Sequence, residues 1–155
     1  GMSLCLVNDH TLKRDFEAAY HIHKSVQDTP WSFATFADSF KTPYYGVFAY
    51  EDGQVIGYAI MLEVLDEATL MDIAVAQSTR GKGVGKALLD LVIRTSCHHL
   101  MREIWLDVRE SNHTAIGLYL SRGFEHIDIR KNYYTTATGK ENALVMKHQC
   151  SPSAR

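Results

Sequence analysis

Between Arg80 and Lys86 the chain reads Arg-Gly-Lys-Gly-Val-Gly-Lys, three glycines and three cations in seven residues. Glycines let a backbone approach a phosphate closely, and a helix that opens after such a turn points unpaired N–H groups at the anion. Spacing then sorts the phosphate sites. A Walker loop needs a hydroxyl after its lysine, and Ala87 follows Lys86. The dinucleotide fingerprint needs glycine or alanine in its third place, where the two registers put Lys86 or Leu88. Arg80-x-x-Gly83-x-Gly85 remains as a pyrophosphate loop, and on these residues alone a plain strand-to-helix turn stays open beside it.

Such a loop needs a strand before it and a helix after it. Leu70 to Val75 supplies the strand. Ala87, Leu88, Leu91 and Val92 give the helix from Lys86 to about His98 its apolar face. A strand at Ile104 to Val108 comes next, so strand, helix and strand imply a parallel pair with a right-handed crossover. Upstream, Leu4 to Val7 reads as an edge strand, and Asn8, Asp9 and Thr11 offer caps for a helix from about Leu12 to Val26. Ser32 caps a second helix bearing Phe33, Phe36 and Phe40. Tyr44 to Tyr50, the turn Glu51-Asp52-Gly53 and the run Gln54 to Leu65 predict a hairpin. Glu63, Asp66 and Glu67 make the next turn acidic, a solvated rim or an attraction for a cationic substrate. Downstream, Ser111 and Asn112 cap a helix that ends at Gly123, and Phe124 to Ile129 and Ala143 to Lys147 read as final strands around a loop from Lys131 to Glu141. His10, His21 and His23 read as surface or packing residues.

The 155 residues fit one domain able to bury a core without metals or disulfides. The expected division is a single domain over residues 4–149, an expression scar and terminus over 1–3, and a tail over 150–155. A formal net charge of -2 with scattered cations gives no nucleic-acid footprint and no anionic-membrane anchor, and fits a basic substrate better than an acidic one. Cys5, Cys97 and Cys150 are odd in number and far apart, without metal-ligand spacing, which makes a reducing cytoplasm the default. There is neither a long apolar run nor a basic-then-apolar leader.

Taken in order, these elements and motifs resemble the GNAT superfamily of N-acetyltransferases over nearly the whole chain. Pro30-Trp31-Ser32, Leu65-Asp66-Glu67-Ala68-Thr69-Leu70, Ile73-Ala74-Val75, Val108-Arg109-x-Ser111-Asn112, Leu118-Tyr119-x-x-x-Gly123-Phe124 and Arg130-x-Asn132-Tyr133-Tyr134 are similar to its RimI-type members. Those enzymes acetylate the N-terminal alanine of a small-subunit ribosomal protein. The resemblance implies an α+β fold, with a single mixed, mostly antiparallel sheet, a splayed parallel strand pair and helices on both faces. It also implies acetyl-CoA as co-substrate, no metal, and a protein N-terminus, such as that of a ribosomal protein, as acceptor.

The resemblance assigns roles as well. Gly81, Lys82, Gly83, Val84, Gly85 and Lys86 would hold the pyrophosphate with Arg80. Ile73, Ala74 and Val75 would pair with the pantetheine arm as an added strand, and Asn112 would use its amide on the same arm or only cap its helix. An α-ammonium of pKa near ~8 must lose a proton before attack. Asp107 stands where the family carries glutamate; being one methylene shorter it would act through a water, and the competing reading is a structural carboxylate paired with a cation. Asp72 and Glu67 are reserve bases. Tyr119 would protonate the departing thiolate. Glu67, Tyr133 and Tyr134 would line the acceptor site. Two other functions remain compatible, a small-molecule amine acetyltransferase and an acyl-CoA sensor without turnover.

Overall fold

A computed structural model describes residues 1–151. Seven strands form one sheet in the order β1-β2-β3-β4-β5-β7-β6. They are β1 (Met2–Leu6), β2 (Tyr44–Glu51), β3 (Gln54–Val64), β4 (Glu67–Val75), β5 (Glu103–Arg109), β6 (Phe124–Thr136) and β7 (Gly139–Gln149). Every neighbouring pair is antiparallel except β4 and β5. The helices are α1 (Lys13–Val26), α2 (Phe33–Asp38), α3 (Val84–His98) and α4 (His113–Ser121).

β3 is central and covered on both faces, which is why Val55 to Met61 is buried without a break rather than in alternation. On one face Ala19, Ile22, Phe36, Phe40, Phe48 and Tyr58 join α1 and α2 to the sheet. On the other, Leu88, Leu89 and Val92 of α3 meet Leu70, Ile104, Leu106 and Met146, and Tyr119 brings α4 into the same cluster. Asp52 and Gly53 both take positive φ, 52° and 76°, as the two-residue β2–β3 turn requires.

β4 and β5 are registered over only three pairs, Glu67↔Glu103, Ala68↔Ile104 and Thr69↔Trp105. Beyond Thr69 the strands part. β4 also carries Met71 as an extra residue against Ile60 and Met61, so Ala68 and Leu70 pack on the α3 face while Asp72 turns toward α1. The β4 edge from Ile73 to Val75 therefore has no strand beside it on the β5 side.

Several expectations need correction. The segment Lys131 to Glu141 is not a loop: β6 and β7 run on to Thr136 and Gly139 as a long hairpin, with an irregular register between Arg130 and Tyr134 and Asn132 at positive φ, 53°. That bulge absorbs the break in alternation that made the segment read as irregular. Asn8 and Thr11 do not cap α1; they close a turn on each other, Asn8 N–H donating to Thr11 Oγ1 at 3.0 Å and His10 N–H to Asn8 Oδ1 at 2.7 Å. Ser32 does cap α2, accepting from Thr35 N–H at 3.1 Å.

Cys97 and Cys150, distant in sequence, form a disulfide that ties the end of α3 to the end of β7. Cys150, expected to begin a tail, is thus buried; Ser151 is exposed, and the remainder of that tail, 152–155, lies outside the described residues. Cys5 is free and exposed. No helix among the described residues is long and apolar enough to cross a membrane.

Candidate functional site

The gap between β4 and β5 opens into a cleft of about 650 Å³. One wall is the free edge of β4, with Ile73, Ala74 and Val75. The floor is the glycine turn and the start of α3, with Arg80, Gly81, Gly83, Val84, Gly85 and Lys86, and α4 closes the far wall with Asn112, Leu118 and Tyr119. Of the expected co-substrate residues only Lys82 stands outside this lining; it is exposed.

Chain conformation explains why the turn is built from glycine. Gly81 and Gly83 take φ of 82° and 79°, where a side chain would be strained. Gly83 is the N-cap of α3, and no side chain caps that helix. Its first-turn N–H groups thus lack a capping partner and point at the cleft, with the positive end of the helix behind them. A diphosphate fits this cradle, and Arg80 and Lys86 add charge beside it. Asn112 does cap its helix, its Oδ1 accepting from Ala115 N–H at 3.2 Å, and it also lines the cleft.

Tyr119 stands at the inner end, 6% exposed, with its ring 5.7 Å from that of Phe124. Its hydroxyl has no hydrogen-bond partner among the described residues. Burial, and then the charges of Asp72 and Tyr134, push its pKa above the ordinary phenol value, so it stays protonated at neutral pH and is available as a donor.

Asp107 does not line this cleft. It faces a second depression of about 430 Å³, on the α1 side of the sheet, with Glu67, Trp105, Asp128 and Arg130. Arg130 Nε donates to Asp107 Oδ1 at 3.3 Å. The candidate base and acid therefore lie on different sides of the strand gap. The expected acidic rim divides: Glu63 accepts from Ser96 Oγ and meets His99 Nδ1, Asp66 lies 3.8 Å from Arg102, and Glu67 alone enters the depression.

Tyr133 and Tyr134 stand edge to face, 5.1 Å between centroids, and neither is part of the lining of this depression. Arg109 covers the Tyr134 ring at 4.3 Å, and also pairs with Asp28 of the α1–α2 segment at 3.4 Å and with Glu141 at 3.4 Å. Burial first, and then the charge of Asp107, push the Tyr134 pKa up to about 12. The hydrogen bond from Ser111 holds the Glu141 carboxyl below its usual range.

Sequence reasoning missed two sets of residues here. Trp105 shares the Asp107 face, as alternation along β5 signals, and its Nε1 is a buried donor without a partner among the described residues. His23 is not a surface or mere packing residue: it is 1% exposed and bonded to Asp72, with Tyr58 and Gln27 in the same network. No local signal foretold that contact. No group of side chains among the described residues could hold a metal ion.

Residues 10–124 match the acetyltransferase (GNAT) family. The chain is 42% identical to the [ribosomal protein bS18]-alanine N-acetyltransferase of Escherichia coli K12 over 132 residues, 85% of this chain and 89% of that protein. It is 44% identical to the enzyme of the same name from Haemophilus influenzae over 133 residues, covering 85% and 90% of the two chains. The crystal structure of the E. coli ribosomal-protein-S18-alanine N-acetyltransferase superposes with a TM-score of 0.89 at 37% identity, covering 97% of this chain and 95% of that one. With the splayed strand pair and the uncapped glycine turn in place, these likenesses give one conclusion: the chain belongs to the GNAT family of acetyltransferases.

Proposed function

We propose that the protein transfers the acetyl group of acetyl-CoA to the N-terminal α-amine of a protein, with an N-terminal alanine such as that of ribosomal protein bS18 as the acceptor. The likeness to bS18-alanine acetyltransferases over 85% of the chain carries this reading. A ribosomal acceptor implies a cytoplasmic reaction; the cysteines do not support that location as expected, since Cys97 and Cys150 are paired.

Acetyl-CoA supplies an activated thioester. The first-turn N–H groups of α3 and the Arg80 and Lys86 side chains bind its diphosphate, and the glycines permit close approach. The free β4 edge from Ile73 to Val75 pairs with the amide-bearing arm as a neighbouring strand would, and Asn112 adds a side-chain amide from the opposite wall. This directs the thioester toward Tyr119. A backbone N–H of the Asp72 to Val75 segment meets the negative charge that develops on the carbonyl oxygen.

The acceptor approaches from the Asp107 side, past Glu67, Tyr133 and Tyr134. Asp107 takes one proton from the α-ammonium through a water, and the free amine attacks through the strand gap. Tyr119 gives its proton to the departing sulfur, the nitrogen loses its second proton to water as the amide forms, and the phenolate is reprotonated from solvent. The two groups need opposite sides of the gap, since one serves the acceptor and the other the leaving group.

Incubation with acetyl-CoA and a panel of short peptides of differing first residue, against small amines, tests this by free-thiol release and mass spectrometry. α-Amine acetylation of alanine-first peptides is expected. Acetylation confined to small amines would reject the peptide acceptor, and CoA binding without turnover would make the protein a sensor.

A further inference from the structure

Asp72 carries a charge that the fold does not balance. Its side chain is 5% exposed. Oδ2 accepts from His23 Nδ1 at 2.9 Å and from the Tyr58 hydroxyl at 2.7 Å, and Oδ1 accepts from the Gln27 amide at 3.1 Å. His23 is not the missing cation. The backbone N–H of Trp31 donates to His23 Nε2 at 3.0 Å, which requires a lone pair there, so the single ring proton sits on Nδ1 and the imidazole is neutral. Three neutral donors thus hold the Asp72 carboxyl group in place, and no lysine or arginine among the described residues pairs with it. A buried charge without a counter-charge is costly.

The location says which cation would complete the site. Thr69↔Trp105 is the last registered pair of β4 and β5. Two residues further on, β5 reaches Asp107, while β4, past the extra Met71, reaches Asp72 on the same face of the sheet. The two carboxylates therefore stand on opposite banks of the strand gap. Val26, Ile73, Ala74 and Tyr119 line the cleft, Asp72 lies directly behind that lining as the residue before Ile73, and its charge contributes to the raised pKa of Tyr119.

We propose that Asp72 is the binding anion for the α-ammonium of the acceptor, held at a fixed orientation by His23, Tyr58 and Gln27. This rests on the chain acting on amines. The acceptor docks as a cation against Asp72, Asp107 removes one of its protons through a water, and the nitrogen lone pair forms the N–C bond. The C–S bond breaks with its electrons passing to sulfur, which takes the Tyr119 proton, and the nitrogen gives up its second proton to water as the amide forms while the Tyr119 phenolate regains one from water. Asp72 thereby selects amines over neutral nucleophiles of the same shape.

Isothermal titration in the presence of CoA compares an alanine-first tripeptide with its lactyl analogue, in which a hydroxyl replaces the amine. The unmutated chain should bind the amine about tenfold or more tighter, the scale of a charge-assisted hydrogen bond; equal affinity overturns the proposal without any variant. In Asp72→Asn the preference should vanish with CoA affinity kept, whereas Tyr58→Phe, which removes a donor and leaves the charge, should retain it. A preference that survives Asp72→Asn, or is lost equally in Tyr58→Phe, overturns the assignment. Peptide acetylation without the preference sinks Asp72 alone, while absence of any amine acetylation sinks the functional reading with it.

Discussion

Arg130 Nε lies 3.3 Å from Asp107 Oδ1, and its guanidinium lies 5.7 Å from the centroid of the Tyr133 ring. One arginine thus joins the candidate base to an aromatic residue of the acceptor side. Arg130 is 54% exposed in its side chain, so solvent screens the pair and its strength is below about 1 kcal/mol. Arg130→Ala should change kcat/KM by less than about fivefold, whereas Asp107→Asn should lower it about 100-fold or more. Steady-state thiol release at fixed peptide checks both. An Asp107→Asn variant with unchanged rate would leave Asp107 as a structural partner of Arg130.

Tyr119→Phe removes only a hydroxyl that has no partner within the fold. The expected result is a fall in kcat of about 100-fold with CoA affinity and thermal midpoint unchanged. Equal losses in stability and rate would instead mark Tyr119 as a packing residue between α4 and Phe124.

Gly83→Ala places a side chain at φ 79°. The left-handed conformation should cost about 1–2 kcal/mol of stability and displace the N–H groups that meet the diphosphate. Thermal unfolding with and without CoA separates the two effects. The midpoint should drop without ligand, and the CoA-induced rise should shrink as well.

Alkaline pH should unfold the protein cooperatively. Burial raises the pKa values of Tyr45, Tyr58 and Tyr119 in the folded state above the ordinary phenol value, so the unfolded chain loses those protons first. The associated stability is fully present below about pH 10 and is lost as pH climbs toward the folded values. Tyrosinate absorbance should lag behind that of free tyrosine and then rise together with loss of helical circular dichroism. Independent titration of these groups in an intact fold would contradict this.

The Cys97–Cys150 bond closes a separation of 53 residues. Reduction should lower stability by about 2–4 kcal/mol. Thiol titration of the unfolded, unreduced protein should find Cys5 alone, and reduction should release Cys97 and Cys150 too.

Local patterns foretold most of the sheet and the glycine turn. Alternation along Ile104 to Val108, the run Gln54 to Leu65, and Ser32 and Asn112 as caps all express contacts within a few residues, which is what periodicity and capping encode. The β6–β7 hairpin was misjudged because a bulge between Arg130 and Tyr134 breaks the alternation while the pairing continues across it. A bulge is defined by the partner strand, and one strand's sequence does not contain it.

The sequence by itself determined the composition of the cradle: the glycines after Val75 permit the positive φ that Gly81 and Gly83 adopt, and position 83 offers no capping side chain. Tertiary structure alone decided what surrounds it. Pairing of Asp107 with Arg130, closure of Cys97 on Cys150, and the burial of His23 against Asp72 join residues 23, 53 and 49 positions apart. Such contacts follow from how strands and helices stack, and from where β4 and β5 part after Thr69. No local pattern carries them, because each residue alone reads equally well as a solvated or a buried group.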